Sequence, residues 1–252
     1  MRILVTFAVE AEFAPWRKLR CFQKASAAGM EYFTSDTGNG RIDVVLTGMG
    51  CKKPWLVLVN EIYETEIDLC VSTGLAGALR PEHHLGDILV ARKVLAPPRD
   101  MTAFSEDSMV HGAVSLGAGS VEYFYTAERV ITSAAEKRKL GDIADAVEME
   151  SFGVLMESGM FAEKAVAIRA ISDEVDENLP LDFNHVATGH GEVSIGKVLS
   201  RAVASPASVP TLIRFGKRSR QAAESLADFL ERFVSGVSAM AASESSQEGI
   251  AG

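Results

Sequence analysis

Short runs of aliphatic and β-branched residues recur along this chain, separated by stretches with helical spacing. That alternation commits the chain to a sheet with helices packed on its faces. Strands are expected at Ile3 to Val9, Ile42 to Leu46, Leu69 to Thr73, Asp87 to Val94, Glu128 to Ile131, Ala144 to Val147 and Ala165 to Ile171. Helices are expected at Glu12 to Leu19, Lys53 to Tyr63, Ser151 to Met160 and Ile195 to Ser200. The strands are rich in Val and Ile, as in sheets buried on both sides, so the predicted class is α/β with a largely parallel or mixed central sheet. No fixed-period repeat is visible, which disfavours a solenoid or propeller.

Two segments depart from the pattern. From Ala96 to Val121 it weakens into Pro97-Pro98, polar residues and Gly112, Gly117 and Gly119, which reads as a long loop, functional or poorly ordered. Pro206 and Pro210 then precede a helix from about Ser219 to Val234, and the Ser-, Ala- and Glu-rich stretch Ser238 to Gly252 reads as a disordered terminus. With 252 residues and 47% hydrophobic composition, one domain over 1–237 with one large core is expected.

A net charge of −9 leaves no cationic surplus to neutralise phosphates, so a nucleic-acid binder is disfavoured and a small-molecule partner favoured. Cys21, Cys51 and Cys70 are too far apart for a CxxC pair or zinc ribbon, and their odd number argues against a secreted disulfide framework. Glu10 and Glu12 cut off the opening apolar run below signal-peptide or membrane-spanning length. A cytoplasmic location is expected.

Three strand ends each deliver acids: Glu12 after the first, Glu148 and Glu150 after Ala144 to Val147, and Asp173 after Ala165 to Ile171. Sites of α/β proteins gather at such ends. Glu148 and Glu150 also suit a helix N-terminus, and Asp173, Glu174, Asp176 and Glu177 a solvated acidic loop. Arg169 stands in an otherwise apolar strand and needs a carboxylate partner or a wet cleft. Thr73 to Leu79 is glycine-rich; Gly74, Ala76 and Gly77 could bring backbone N–H groups to an anion or sugar, or form a closely packed turn. The segment lacks the Lys-Ser/Thr of a P-loop and the full GxGxxG pattern. His83, His84, His111, His185 and His190 read as solvated loop residues, since the last two are five apart rather than the four that align ligands on a helix.

Glu10-Ala11-Glu12, Thr73-Gly74-Leu75-Ala76-Gly77, Leu85-Gly86-Asp87-Ile88-Leu89-Val90, Val147-Glu148-Met149-Glu150 and Arg169-Ala170-Ile171-Ser172-Asp173 follow one another as in the purine and uridine phosphorylase superfamily. Over about residues 1 to 200 the chain most resembles 5′-methylthioadenosine/S-adenosylhomocysteine nucleosidases. The resemblance implies a three-layer αβα sandwich with a mixed sheet, a homo-oligomer, and cleavage of the bond between ribose and a purine, without metal or other cofactor. It further implies that Glu12 activates water, Glu150 holds the ribose hydroxyls, Met149 lies beside the ribose, Arg169 supports the water site, Ser172 orients Asp173, and Asp173 protonates the base. Glu148 joins the expected substrate wall. Such an acid must hold its proton near neutrality, and desolvation is the expected means.

The chain also departs from that pattern. Its segment ahead of Val147 is short, the aromatic residue that normally stacks on adenine has no clear counterpart, and Leu75 stands where Ser is common. The shortened middle, Ala146 to Ser151 and Pro210 to Arg214 resemble hopanoid-associated members, which implies a lipid-linked adenosine as an alternative substrate. Arg214, Lys217, Arg218 and Arg220 precede Leu226, Phe229, Leu230 and Phe233 on a helix that could rest on a membrane or pack as an ordinary C-terminal helix. Phosphorolysis, with phosphate as co-substrate and Arg80 or Arg92 as contacts, is a second enzymatic reading; Glu10 and Glu12 after the first strand favour water. A noncatalytic nucleoside-binding protein is the reading of another class.

Overall fold

A computed structural model describes residues 1–37, 40–97, 101–180 and 209–248. The expected helix Ile195 to Ser200, together with His185, His190 and Pro206, falls outside the described residues. The strands are β1 (Arg2–Phe7), β2 (Gln23–Ala27), β3 (Met30–Asp36), β4 (Arg41–Leu46), β5 (Ile67–Ala78), β6 (Ile88–Ala96), β7 (Met101–Phe104), β8 (Gly119–Thr126), β9 (Ala146–Glu148) and β10 (Ala162–Asp173). The helices are α1 (Glu10–Arg20), α2 (Trp55–Ile62), α3 (Asp107–Ser115), α4 (Ala134–Leu140), α5 (Ser151–Ser158) and α6 (Val209–Glu248).

One mixed sheet runs β10-β6-β8-β9-β5-β1-β4-β3-β2, with β7 beside β6. Because β10 also pairs with β5, strands β5, β10, β6, β8 and β9 close into a ring. The strands β4, β1, β5 and β10 are parallel neighbours, so the ends that carry Glu12 and Asp173 point the same way, while β9, which carries Glu148, runs antiparallel to β5 and enters from the other direction.

Period-two alternation builds the layers. In β1, Ile3, Val5 and Phe7 pack with Phe13 and Trp16 of α1 and Leu226, Phe229, Leu230 and Phe233 of α6. Leu4, on the opposite face, packs with Trp55, Leu58 and Val59 of α2 and Val154 of α5. The Trp16 indole donates to Glu231 at 2.9 Å and ties α1 to α6. The apolar stripe of α6 is therefore spent on the core, as in an ordinary packed helix.

Several expectations need correction. The described residues of the Ala96 to Val121 segment are not one loop but form β7, α3 and the start of β8, whose Met109, Val110 and Val121 supply core contacts despite the surrounding glycines. Glu128 to Ile131 is irregular; the strand lies earlier, at Gly119–Thr126, where β8 pairs with β6 and β9. The polar hairpin β2–β3 carries little hydrophobic pattern because β2 is an edge strand with half or more of its residues exposed. Helix α6 extends to Glu248, into the stretch expected to be a disordered terminus, in keeping with the high helix propensity of its alanines. Among the described residues no helix is long and apolar enough to cross a membrane.

Candidate active site

The glycine-rich segment does not turn after β5; Thr73 to Ala78 is the second half of that strand. Its glycines make room for acids. A Cβ on Gly74, whose φ is +145°, would lie 3.0 Å from Glu12 Oε2, and a Cβ on Gly77 would lie 2.9 Å from Asp173 Oδ2. Asp173 reaches that position through an irregularity in β10, where Ile171 pairs with Ala76 and Asp173 with Gly77 while Ser172 is left over. An extra residue of this kind re-aims the side chain that follows it.

Glu12 sits in the first turn of α1, and its carboxylate bends back to accept from the N–H groups of Ala8 at 3.2 Å and Val9 at 3.4 Å. It also accepts from the Leu75 N–H of β5 at 3.1 Å. Burial pushes its pKa up, against the opposing pull of the Arg169 guanidinium and the three N–H donors.

Arg169 and Glu148 form a buried ion pair at 2.5 Å, with Glu150 3.6 Å from the same nitrogen. Glu148 has no oxygen to spare: Oε1 accepts from the Thr126 hydroxyl, and Oε2 from Arg169 and the N–H groups of Glu150 and Ser151. It thus supports Arg169 and the N-terminus of α5, and the guanidinium and these hydrogen bonds outweigh burial to hold its pKa low. Glu150 instead accepts from the Gly50 N–H at 2.8 Å, and burial together with the neighbouring Glu148 charge pushes its carboxyl up to about 8. One guanidinium serves three acids here, and the acid in closest contact takes most of its stabilisation.

At the other end, Asp173 is 6% exposed, accepts from the Ser172 hydroxyl at 2.7 Å, and is bonded to the Lys137 ammonium. Lys137 lies on α4 and is fully buried. Where desolvation was expected as the means of keeping a proton at this acid, the structure instead sets a buried ammonium directly against it.

These groups share a cavity of about 400 Å³, within the range of small-molecule sites. Its wall includes Glu12, Ala76, Gly77, Glu148, Met149, Glu150, Ser172 and Asp173. Of the expected site residues, Gly74 and Arg169 stand behind the wall, Gly74 against Glu12 and Arg169 against Glu148. Sequence reasoning missed Lys137, and it missed Met49, Ile131, Leu179 and Phe215 in the lining. Lys137 is hidden in the charged run Glu136 to Lys139; its one signal is the three-residue spacing from buried Ala134. Phe215 comes from α6, far along the chain, and supplies an aromatic ring to a wall that showed none in the sequence. Arg80 and Arg92 pair with Asp145 and Asp107 away from the cavity; the arginines in the wall are Arg129 and Arg220, which pair with Glu136 and Glu224.

A closed mixed sheet that brings buried acids at or just after the ends of β1, β9 and β10 into one cleft is the setting of a nucleosidase or nucleoside phosphorylase, and the family comparison assigns the chain to that class. The chain belongs to the phosphorylase superfamily, whose family model matches residues 2–235. It is 25% identical over 225 residues to the aminodeoxyfutalosine nucleosidase of Campylobacter jejuni, covering 79% of this chain and 97% of that protein. Among solved structures, the 5′-methylthioadenosine/S-adenosyl homocysteine nucleosidase of Campylobacter jejuni superposes with a TM-score of 0.67 at 18% identity, covering 93% of this chain and 99% of the other. The futalosine hydrolase of Helicobacter pylori gives 0.68 at 17% identity, covering 93% and 97%.

Proposed function

We propose that this protein hydrolyses the N-glycosidic bond of a purine nucleoside, adenine being the favoured base, with water as nucleophile. The observation that carries the reading is the meeting of Glu12, Glu150 and Asp173, from three separate parts of the chain, around one cavity. Cleavage leaves a cation-like sugar and an anionic base, so catalysis needs a base for water and a proton for the departing purine, as in the two-carboxylate logic of glycoside hydrolysis.

Glu12 is the base. All its described partners are donors, which suits a carboxylate, and its raised pKa brings it toward the range where a general base works best. Glu150 holds the ribose hydroxyls beside Met149, with Arg169 and Gly50 fixing its carboxyl. Asp173 passes a proton to the base, oriented by Ser172. Phe215, Ile131 and Leu179 offer apolar cover to base and 5′ substituent.

Hydrolysis is preferred to phosphorolysis because, among the described residues, the arginines in the cavity wall, Arg129 and Arg220, are already paired with carboxylates. The names of the relatives point to substrates to try first: aminodeoxyfutalosine, methylthioadenosine and S-adenosylhomocysteine. Purified protein incubated with these, adenosine, inosine and a lipid-linked adenosine, with and without phosphate, is expected to release free base and free sugar equally well in both conditions. Strict phosphate dependence with a sugar 1-phosphate product would overturn the choice of water, and binding without base release would identify a noncatalytic nucleoside-binding protein.

A further inference from the structure

We propose that Lys137 is the proton reservoir for the departing base, acting through Asp173; the inference rests on the nucleosidase reading above. Among the described residues Lys137 and Arg169 are the two fully buried cations, and each is paired with a different acid of the same cavity. A buried cation is costly unless its hydrogen bonds are met. The Lys137 nitrogen meets three acceptors: Asp173 Oδ2, the Glu174 carbonyl at 3.0 Å and the Glu177 carbonyl at 3.1 Å. Three acceptors are the full complement of an ammonium and one more than a neutral amine can serve. The geometry therefore assigns a proton to this nitrogen, one hydrogen bond from the acid and two from the base.

The second observation concerns Ser172. Its hydroxyl has one hydrogen but two acceptors in reach, Asp173 Oδ1 at 2.7 Å and the Ala76 carbonyl at 3.3 Å. With Asp173 ionised, the hydroxyl donates to the carboxylate. With the Lys137 proton moved to Oδ2, Oδ1 becomes a carbonyl oxygen and still accepts from the same hydroxyl. Both states of Asp173 are met without moving a heavy atom, as a group that passes a proton on requires.

The step balances as follows. As the bond between C1′ and N9 breaks, its electron pair stays with the purine. A Lys137 N–H bond breaks as its proton moves to Asp173 Oδ2, and Asp173 passes that proton to the purine ring nitrogen facing it, so Asp173 ends as the carboxylate it began as and Lys137 as a neutral amine. Water forms the new bond to C1′ and loses a proton to Glu12. Solvent then takes the proton from Glu12 and returns one to Lys137, so the cycle consumes one water.

The test compares Lys137→Met and Lys137→Arg with wild type on methylthioadenosine and adenosine. Methionine fills the volume without a proton, and arginine keeps the charge but does not give its proton up. Both variants should lose about 10²- to 10⁴-fold in kcat with KM within about threefold of wild type, the usual weight of general acid catalysis. A wild-type kcat in either variant overturns the proposal, as does a loss in which KM rises as far as kcat falls. A p-nitrophenyl riboside, whose phenolate departs without a proton, gives an independent measure: activity on it should survive in both variants, and an equal loss on both substrate types would make Lys137 merely structural. Should wild-type protein release no base from any nucleoside, the nucleosidase reading fails; should it do so while the variants match it, the Lys137 assignment fails alone.

Discussion

The two ends of the cavity solve one electrostatic problem differently. At the end proposed to hold the sugar a single guanidinium, Arg169, stands among Glu12, Glu148 and Glu150; at the end proposed to hold the base Lys137 and Asp173 are matched one to one. Burial pushes Glu12 and Glu150 toward their protonated forms, the Glu148 and Glu12 charges add to the push on Glu150, and Glu148, in direct contact with the guanidinium, stays ionised. The difference teaches that proximity to a buried charge is not shared out evenly: the best hydrogen-bonded acid takes it, and the carboxyls of the others are pushed up.

Breaking the sugar end should have the largest effect. Arg169→Met strands Glu148 in the core, and loss of one partner of a buried pair costs about 3 to 5 kcal/mol, to be read as a lower denaturant midpoint together with lost turnover. Unchanged stability would show that Glu148 needs no cation. Next, Asp173→Asn should lower kcat for purine release by about 10²- to 10⁴-fold and, because it leaves buried Lys137 without its carboxylate, also lower the denaturant midpoint; near-wild-type kcat in the folded variant would remove Asp173 from the mechanism.

Gly77→Ala sharpens the comparison from the backbone side. The new methyl would sit 2.9 Å from Asp173 Oδ2, so the acid must shift away from Lys137, and a loss of about 10-fold in kcat is expected with less change in stability. A fully active variant would mean that Asp173 is free to adjust.

The smallest effect is a change in pH dependence. Glu150 holds its proton in the folded state up to about 8, above the ordinary value of 4.5, so the folded protein binds more protons than the unfolded chain between those limits. Stability should therefore fall as pH rises through that window. Glu150→Gln removes this titration, and its unfolding free energy should vary less with pH than that of wild type from pH 5 to 8. Parallel pH curves for the two proteins would show that Glu150 titrates normally.

Most of the layered sheet was legible because period-two alternation in Ile3 to Phe7 and Ala165 to Ile171 is a local property, and burial on both faces leaves it in the residues themselves. The β2–β3 hairpin and the β7–α3 segment were not legible, since edge strands and short elements between glycines carry little hydrophobic pattern. Of the site, the sequence by itself determined which acids end which strands and that Arg169 needed a carboxylate. It could not say that Glu148 spends every oxygen on neighbours, or that Gly74 and Gly77 leave space for Glu12 and Asp173. Nor could it draw Lys137 out of a run of charged residues and seal it against Asp173. Those outcomes depend on contacts between residues tens of positions apart, and only the closed sheet, the irregularity at Ser172 and the packing of α4 bring them within hydrogen-bond reach.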